Sequence, residues 1–197
     1  LAAGFDLAFH SATKYLNGHS DLVAGVLAGR SALVEKAVRI VRRLGASLDP
    51  HACFLLERGL KTLVVRVERH NSNAQRVAEF LDAHASVARV HFPGLSKHPD
   101  HQRARALLCG FGGMLAFDLT GGEAHTERFL AAVRIPVVAP SLGGVESLLS
   151  RPAATSHAML SRPERAALGI TDGTVRMSVG IEDADDLIAD LDQALRA

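Results

Sequence analysis

The sequence predicts an α/β fold, because short segments with strand character alternate with segments that have helical periodicity. The strand-like segments lie at 87–92, 113–119 and 174–180. Between and after them, apolar residues recur at steps of three and four, as on the buried face of a helix. This alternation is typical of a single α/β unit, which we place at residues 62–197. Residues 1–61 are interpreted as the end of another unit.

The first unit is expected to contain one strand and one helix. The strand is predicted at Leu7–Phe9, before a polar, glycine-rich turn, and the helix at 31–44. A long amphipathic helix is predicted from Leu56 onward, with Gly59 as a residue where its start can bend. Its recurring apolar positions are Leu60, Leu63, Val64, Val67, Ala74, Val77, Ala78 and Leu81.

Two further helices are predicted in the second unit. One follows Gly121 and Gly122, and its apolar residues are Phe129, Leu130 and Val133. The other is the terminal segment 182–195, whose acidic first turn is favourable for the helix dipole. Its apolar stripe consists of Leu187, Ile188, Leu191 and Leu195.

Composition and charge favour small-molecule chemistry. The 197 residues are 48% hydrophobic, with 22 basic and 21 acidic residues, so a net charge of +1 offers no large field to attract nucleic acid or anionic lipid. No apolar run approaches the roughly 20 residues of a membrane span, and the first residues lack the layout of a signal peptide. Cys53 and Cys109 lack the spacing of a metal or disulfide framework, so we expect a cytoplasmic protein.

Potentially reactive side chains are most concentrated in the segment HSATKYLNGHSD, where the hydroxyl residues Ser11 and Thr13 lie shortly before Lys14. The two hydroxyls can bind phosphate oxygens, and a lysine in a partly desolvated pocket can lose its proton and attack an aldehyde. A solvated surface turn is the alternative interpretation. Composition alone favours that alternative, because most lysines are solvated ends of flexible stems.

The wider segment HSATKYLNGHSDLVAG resembles the lysine motif of the trans-sulfuration family, the pyridoxal-phosphate (PLP) enzymes of cysteine and methionine metabolism. The resemblance covers essentially the whole chain. It continues through LERGLKTL at 56–63, VHFPGLSKHPDHQRA at 90–104, GFGGMLAF at 110–117, PSLGGVESL at 140–148 and VRMSVGIEDADDLIADL at 175–191.

The resemblance implies the fold-type-I, aminotransferase-like architecture, usually built into a homotetramer. Residues 1–61 would then end the large PLP-binding domain, and 62–197 would form the small carboxy-terminal domain. In this frame Lys14 is the Schiff-base lysine, and Ser11 and Thr13 help hold the cofactor phosphate. The family's cofactor-binding aspartate and ring-stacking aromatic lie upstream of the lysine, so the chain is expected to be part of a longer protein and not to catalyse alone.

The resemblance also implies a substrate site at Arg176 and Ser141. Strand alternation places Arg176 on the face opposite Val175 and Met177, and its planar fork suits an amino-acid carboxylate. The alternative is a solvated strand arginine paired with a neighbour such as Glu182 or Asp183. Ser141 opens the SLGG loop and matches a serine that lies beside the substrate in the family, although an ordinary Ser-Gly turn would have the same sequence.

Pro140 departs from part of the family pattern. Several cystathionine-binding members have glutamate before the serine of SLGG, and proline offers no polar side chain to the far end of the substrate. Some synthases of the family also have proline there. Pro140 therefore does not decide between the activities. The resemblance implies a carbon-sulfur lyase, with a γ-replacement synthase or a non-catalytic scaffold as alternatives.

A metal site is not predicted. His91, His98, His101 and Cys109 are loosely spaced, without paired ligand motifs, and solvated histidines are the preferred interpretation. His19 and Asp21 are expected to brace the lysine loop and not to act as an acid/base pair.

Overall fold

A computed structural model describes residues 1–197. The chain divides into two compact units, Leu1–Val64 and Val65–Ala197, and each is described by itself. No helix combines the length and the apolar character that a bilayer crossing requires.

The first unit is a β-hairpin with two helices. Strands β1 (Leu7–Ser11) and β2 (Gly25–Gly29) pair antiparallel. A π-helical turn, Ala12–Leu16, follows β1 directly. The helices are α1 (Ser31–Leu44) and α2 (Pro50–Leu60).

The ends of both helices have clear local causes. Gly45 ends α1 in the left-handed region at φ 70°, where a residue without Cβ is least strained. Asp49 caps α2 by accepting from the backbone N–H of His51 and Ala52, and Pro50 begins the helix with a preset φ.

The second unit contains a five-stranded sheet in the order β3-β4-β7-β6-β5. All neighbours are antiparallel except β5 and β6. The strands are β3 (Val87–His91), β4 (Met114–Leu119), β5 (Val137–Val138), β6 (Leu148–Ser150) and β7 (Thr174–Ser178). The helices are α3 (Leu63–Ala83), α4 (His101–Leu107), α5 (Gly122–Ala132), α6 (Arg162–Ala167) and α7 (Ala184–Leu195), with a 3-10 turn at Pro152–Ala154.

Apolar side chains of the sheet, α3, α5 and α7 form one core. Phe117 of β4 and Phe129 of α5 are fully buried and pack edge to face, with ring centroids 5.8 Å apart. Fully buried partners come from α3 and α7 and include Val77, Leu81, Leu187 and Leu191. This core supports β7, the strand that carries Arg176.

The prediction of one long helix beginning at Leu56 is wrong about where that helix begins. The chain forms two helices there, because Lys61 and Thr62 turn tightly, with backbone N–H groups bonded to the carbonyls of Arg58 and Gly59. The second helix begins only at Leu63. Strands β2, β5 and β6 and the helices α4 and α6 were not predicted, because they are short and too rich in glycine, proline or polar residues to show a period.

Candidate active site

Lys14 lies in the turn that follows β1. The π-helical turn Ala12–Leu16 begins immediately after the strand, and Lys14 leaves helical geometry within it at φ −91° and ψ −130°. One i→i+5 hydrogen bond, from the Asn17 N–H to the Ala12 carbonyl at 3.0 Å, closes this turn. The backbone thus presents Lys14, which is half-buried, in a conformation that neither a strand nor an α-helix would give.

Ser11 is the last residue of β1, immediately before this turn, and Thr13 lies within the turn next to Lys14. Ser11 is exposed and lies opposite Gly25 in the hairpin. Thr13 Oγ1 accepts from the backbone N–H of Ala24 at 3.0 Å, and its own proton has only a long contact, 3.4 Å, to the Ala24 carbonyl. A stronger acceptor such as a phosphate oxygen could take that proton. The donor set therefore fits a phosphorylated aldehyde cofactor.

Asn17 is the buried end of the same turn. Its backbone N–H bonds to the Ala12 carbonyl at 3.0 Å, and its side-chain amide donates to Asp21 at 2.8 Å. His19 Nδ1 lies 2.7 Å from the Asn17 carbonyl, and since a carbonyl only accepts, this nitrogen carries the proton. His19 and Asp21 therefore both brace the turn through Asn17.

Arg176 and Ser141 are in direct contact. Arg176 Nη2 donates to the Ser141 carbonyl at 2.8 Å, while Arg176 Nε is buried and makes no hydrogen bond. Pairing of Arg176 with Glu182 is not observed, because both carboxylate oxygens of Glu182 accept from Ser147. Ser141 has φ 93°, a strained conformation for a residue with a side chain, as is common at ligand sites.

The SLGG loop is also held by Ser178, which lies on the same face of β7 as Arg176. Ser178 Oγ is buried and accepts from the backbone N–H of Gly143 at 2.9 Å. Two consecutive residues of one strand face thus fix the loop at Ser141 and Gly143. The sequence alternation predicts that the two side chains share a face, but not that they bind the same loop.

Removing this second contact is expected to loosen the loop. In Ser178→Ala the buried Gly143 N–H loses its acceptor, so the free energy of unfolding should fall by about 1–3 kcal/mol. The exchange rate of the Gly143 amide, measured by hydrogen exchange, should rise. The Val179 amide, bonded to the Gly113 carbonyl at 2.8 Å, is the internal control and should not change. Unchanged exchange at Gly143 would contradict the account of the loop.

Sequence reasoning missed a second polar network, which holds the chain after β7. Ser147 Oγ accepts from the Gly180 N–H at 2.8 Å, and Asn73 donates to the carbonyls of Gly180 and Glu182. His70 Nδ1 lies 2.7 Å from the Val179 carbonyl. Burial lowers the pKa of His70, so its ring is neutral and donates from Nδ1. The buried residues at helical spacing in α3 were the only sequence signal for this network.

His91, His98 and His101, predicted to be solvated, are half-buried. His91 Nε2 lies 2.8 Å from an Asp118 carboxylate oxygen, and the His101 ring stacks on Phe111. His98 accepts from the backbone of Asp100 through Nδ1. Each ring therefore has a partner within its own fold. No group of three or more His, Cys, Asp or Glu side chains is arranged to hold a metal ion. Both cysteines are exposed and unbridged.

The chain matches one protein family over nearly its full length. The sequence model described as Cys/Met metabolism PLP-dependent enzyme matches residues 1–196. Cystathionine gamma-synthase 1, chloroplastic, of Nicotiana tabacum is 47% identical over 99% of this chain and 36% of its own length. L-methionine gamma-lyase of Pseudomonas putida is 47% identical over 100% of this chain and 50% of its own length.

Solved structures show the same similarity in three dimensions. Cystathionine gamma synthase from Xanthomonas oryzae pv. oryzae, in complex with aminoacrylate and cysteine, superposes with a TM-score of 0.92 at 46% identity. The match covers 98% of this chain and 50% of that one. The chain therefore spans about half the length, or less, of the relatives it matches.

Proposed function

Because the chain belongs to the family of Cys/Met metabolism PLP-dependent enzymes, we propose that the protein carrying it is a carbon-sulfur lyase. Its substrate class is a sulfur amino acid of the cystathionine, cysteine or methionine type, and its reaction is β- or γ-elimination. The observations that carry the proposal are the family match over residues 1–196 and the turn Ala12–Leu16, which contains both Thr13 and Lys14.

We assign each unit a part of this enzyme by the family resemblance. The first unit is the end of the large PLP-binding domain, and the second is the small carboxy-terminal domain. The proposed assembly is a cytoplasmic homotetramer. The family resemblance supports this assembly, and two unbridged cysteines support a reducing compartment.

In this proposal Lys14 both binds the cofactor and moves protons. When bound, pyridoxal phosphate supplies an electron sink for charge that develops at the substrate α-carbon. Ser11 and Thr13 hold its phosphate by hydroxyl hydrogen bonds. The amine of Lys14 would remove the substrate α-proton, and for γ-elimination it would also move a proton at the β-carbon.

Arg176 is assigned the substrate carboxylate. Its Nη2 is fixed by the Ser141 carbonyl and its Nε has no partner, so the guanidinium is oriented and retains donors for a ligand. A carboxylate bound by two parallel N–H groups is held in both position and angle. Ser141, whose carbonyl accepts the hydrogen bond from Arg176, is assigned to the same substrate site.

A γ-replacement synthase is the second candidate. Pro140 is compatible with it, because some synthases of the family also have proline before the serine of SLGG. Two relatives with high identity are cystathionine gamma-synthases. In that reaction the activated homoserine loses its leaving group, and cysteine adds to the γ-carbon.

Product analysis separates the candidates. Release of ammonia and a keto acid from cystathionine, cysteine or methionine would support the lyase. Consumption of an activated homoserine ester only when cysteine is present would instead identify the synthase. A protein that remains colourless after addition of pyridoxal phosphate would contradict both and support a non-catalytic scaffold.

Pro140→Glu is expected to shift substrate preference toward cystathionine. Pro140 is exposed and borders a cavity of about 230 Å³, so a glutamate side chain has room. One charge-assisted hydrogen bond is worth about 1.5–3 kcal/mol, which sets a ceiling of roughly ten-fold to hundred-fold in relative specificity. The quantity to measure is the ratio of kcat/KM for cystathionine to that for cysteine. A general fall without a change in this ratio would show that Pro140 only shapes the loop.

A further inference from the structure

Helix α2 approaches the lysine turn at one residue. A Cβ added to Gly59 would lie 2.4 Å from the Asn17 carbonyl oxygen and 3.1 Å from both the carbonyl carbon and the Cα of Asn17. All three are backbone atoms, so the contact cannot be relieved by rotating a side chain. Gly59 therefore permits an approach that any other residue would prevent.

The Asn17 carbonyl has little freedom to move away. His19 donates to it from Nδ1 at 2.7 Å, and the Asn17 side chain, fully buried, is tied to Asp21. Ordinary van der Waals contact begins at 3.4 Å, so relief of the 2.4 Å contact requires a separation of about 1 Å. The helix and the turn would have to share that displacement.

Two backbone hydrogen bonds connect Asn17 and its neighbour Gly18 to the residues around Lys14, so a movement of Asn17 would also move this part of the turn. The Gly18 N–H donates to the Lys14 carbonyl at 2.8 Å, and the Asn17 N–H donates to Ala12 at 3.0 Å. These bonds close the π-helical turn around Lys14. A shift of Asn17 therefore changes the turn that sets the direction of the lysine side chain.

We propose that Gly59 is a positioning residue for Lys14, acting through the Asn17 carbonyl. The inference rests on the proposed function, since it assigns the contact a role in placing the cofactor lysine. Gly59 touches neither cofactor nor substrate in this account. Because Gly59 has no side chain, α2 can pack directly against the backbone of the turn at Asn17.

The test is Gly59→Ala in the whole protein, with Glu57→Ala as the matched control. Glu57 is an exposed residue of the same helix, whose ion-pair partner is Lys61 at 3.8 Å, so its replacement adds helix propensity without touching Asn17. We measure amide exchange at Asn17 and Gly18 in cofactor-free protein. We also measure the rate at which added pyridoxal phosphate is trapped on Lys14 by borohydride, read by peptide mass spectrometry.

Gly59→Ala should accelerate exchange at both amides about ten-fold or more, and slow trapping by up to roughly 10²-fold, as expected for a misplacement of ~1 Å. The melting temperature should fall, because the higher helix propensity of alanine offsets only part of the cost of the clash with the Asn17 backbone. Glu57→Ala should match the wild type in all measurements. Wild-type exchange and trapping in a folded Gly59→Ala protein would overturn the inference.

A second variant covers the case in which Gly59→Ala does not fold. His19→Ala removes the donor to the Asn17 carbonyl at an exposed residue and leaves α2 unchanged. It should alter the same two measurements in the same direction by a smaller factor, and no effect would contradict the route through Asn17. If wild-type Lys14 is not trapped at all, the proposed function fails, while amide exchange still tests the contact.

Discussion

Lys14→Ala is expected to abolish the near-visible absorbance of the lysine-bound cofactor and to stop turnover in the protein that carries this chain. The variant removes the amine that binds the cofactor and the group that transfers the α-proton. Loss of proton transfer alone costs roughly 10²–10⁴-fold in rate. The nearest lysines in sequence, Lys36 on α1 and Lys61 after α2, lie on other elements and are not presented by the π-helical turn.

Lys61→Ala is the matched control for this prediction. It removes an amine from the same unit, and the exposed ion pair to Glu57 at 3.8 Å contributes little to stability. Its absorbance and turnover should equal those of the wild type. Activity retained by Lys14→Ala, or lost equally in Lys61→Ala, would exclude the assigned role of Lys14.

Arg176→Lys is expected to raise KM for the amino-acid substrate by about ten-fold to hundred-fold. The lysine keeps the charge but loses the planar pair of donors, and one charge-assisted hydrogen bond is worth about 1.5–3 kcal/mol. It also loses the arginine geometry that reaches the Ser141 carbonyl. Steady-state kinetics and thermal unfolding together separate weaker binding from lost stability.

Arg128→Lys supplies the comparison. Arg128 is a surface arginine of the same unit that donates to the backbone carbonyls of Ala124 and Ala197. Its replacement should leave KM unchanged. If Arg176→Lys behaves in the same way, Arg176 does not bind the carboxylate and serves only to hold the SLGG loop.

The sequence predicted those parts of the fold whose signal is local. Helix α1 has the predicted bounds, Ser31–Leu44, and Gly45 ends it with a positive φ. The alternation around Arg176 predicted the faces of β7, since Val175 and Met177 are fully buried. Strands β2 and β6 have no such signal, because GVLAG and LLS become strands only through their partners in the sheet.

The contacts that build the candidate site depend on tertiary structure. The motif around Lys14 is visible in the sequence, but its π-helical turn is not. The positive φ of Ser141 is likewise not visible in the sequence. Nor is the hydrogen bond between Ser178 and Gly143, which joins residues 35 positions apart. The sequence predicts only that the helix can bend at Gly59. The structure shows that the absent side chain lies against the carbonyl of Asn17.

Borohydride reduction of the protein with pyridoxal phosphate, followed by peptide mass spectrometry, tests the central claim most directly. The chain contains four lysines, Lys14, Lys36, Lys61 and Lys97, so the modified residue can be identified without ambiguity. We predict a single phosphopyridoxyl group on the peptide that contains Lys14. The label on any other lysine, or no label on a folded protein with cofactor in excess, would contradict the assignment.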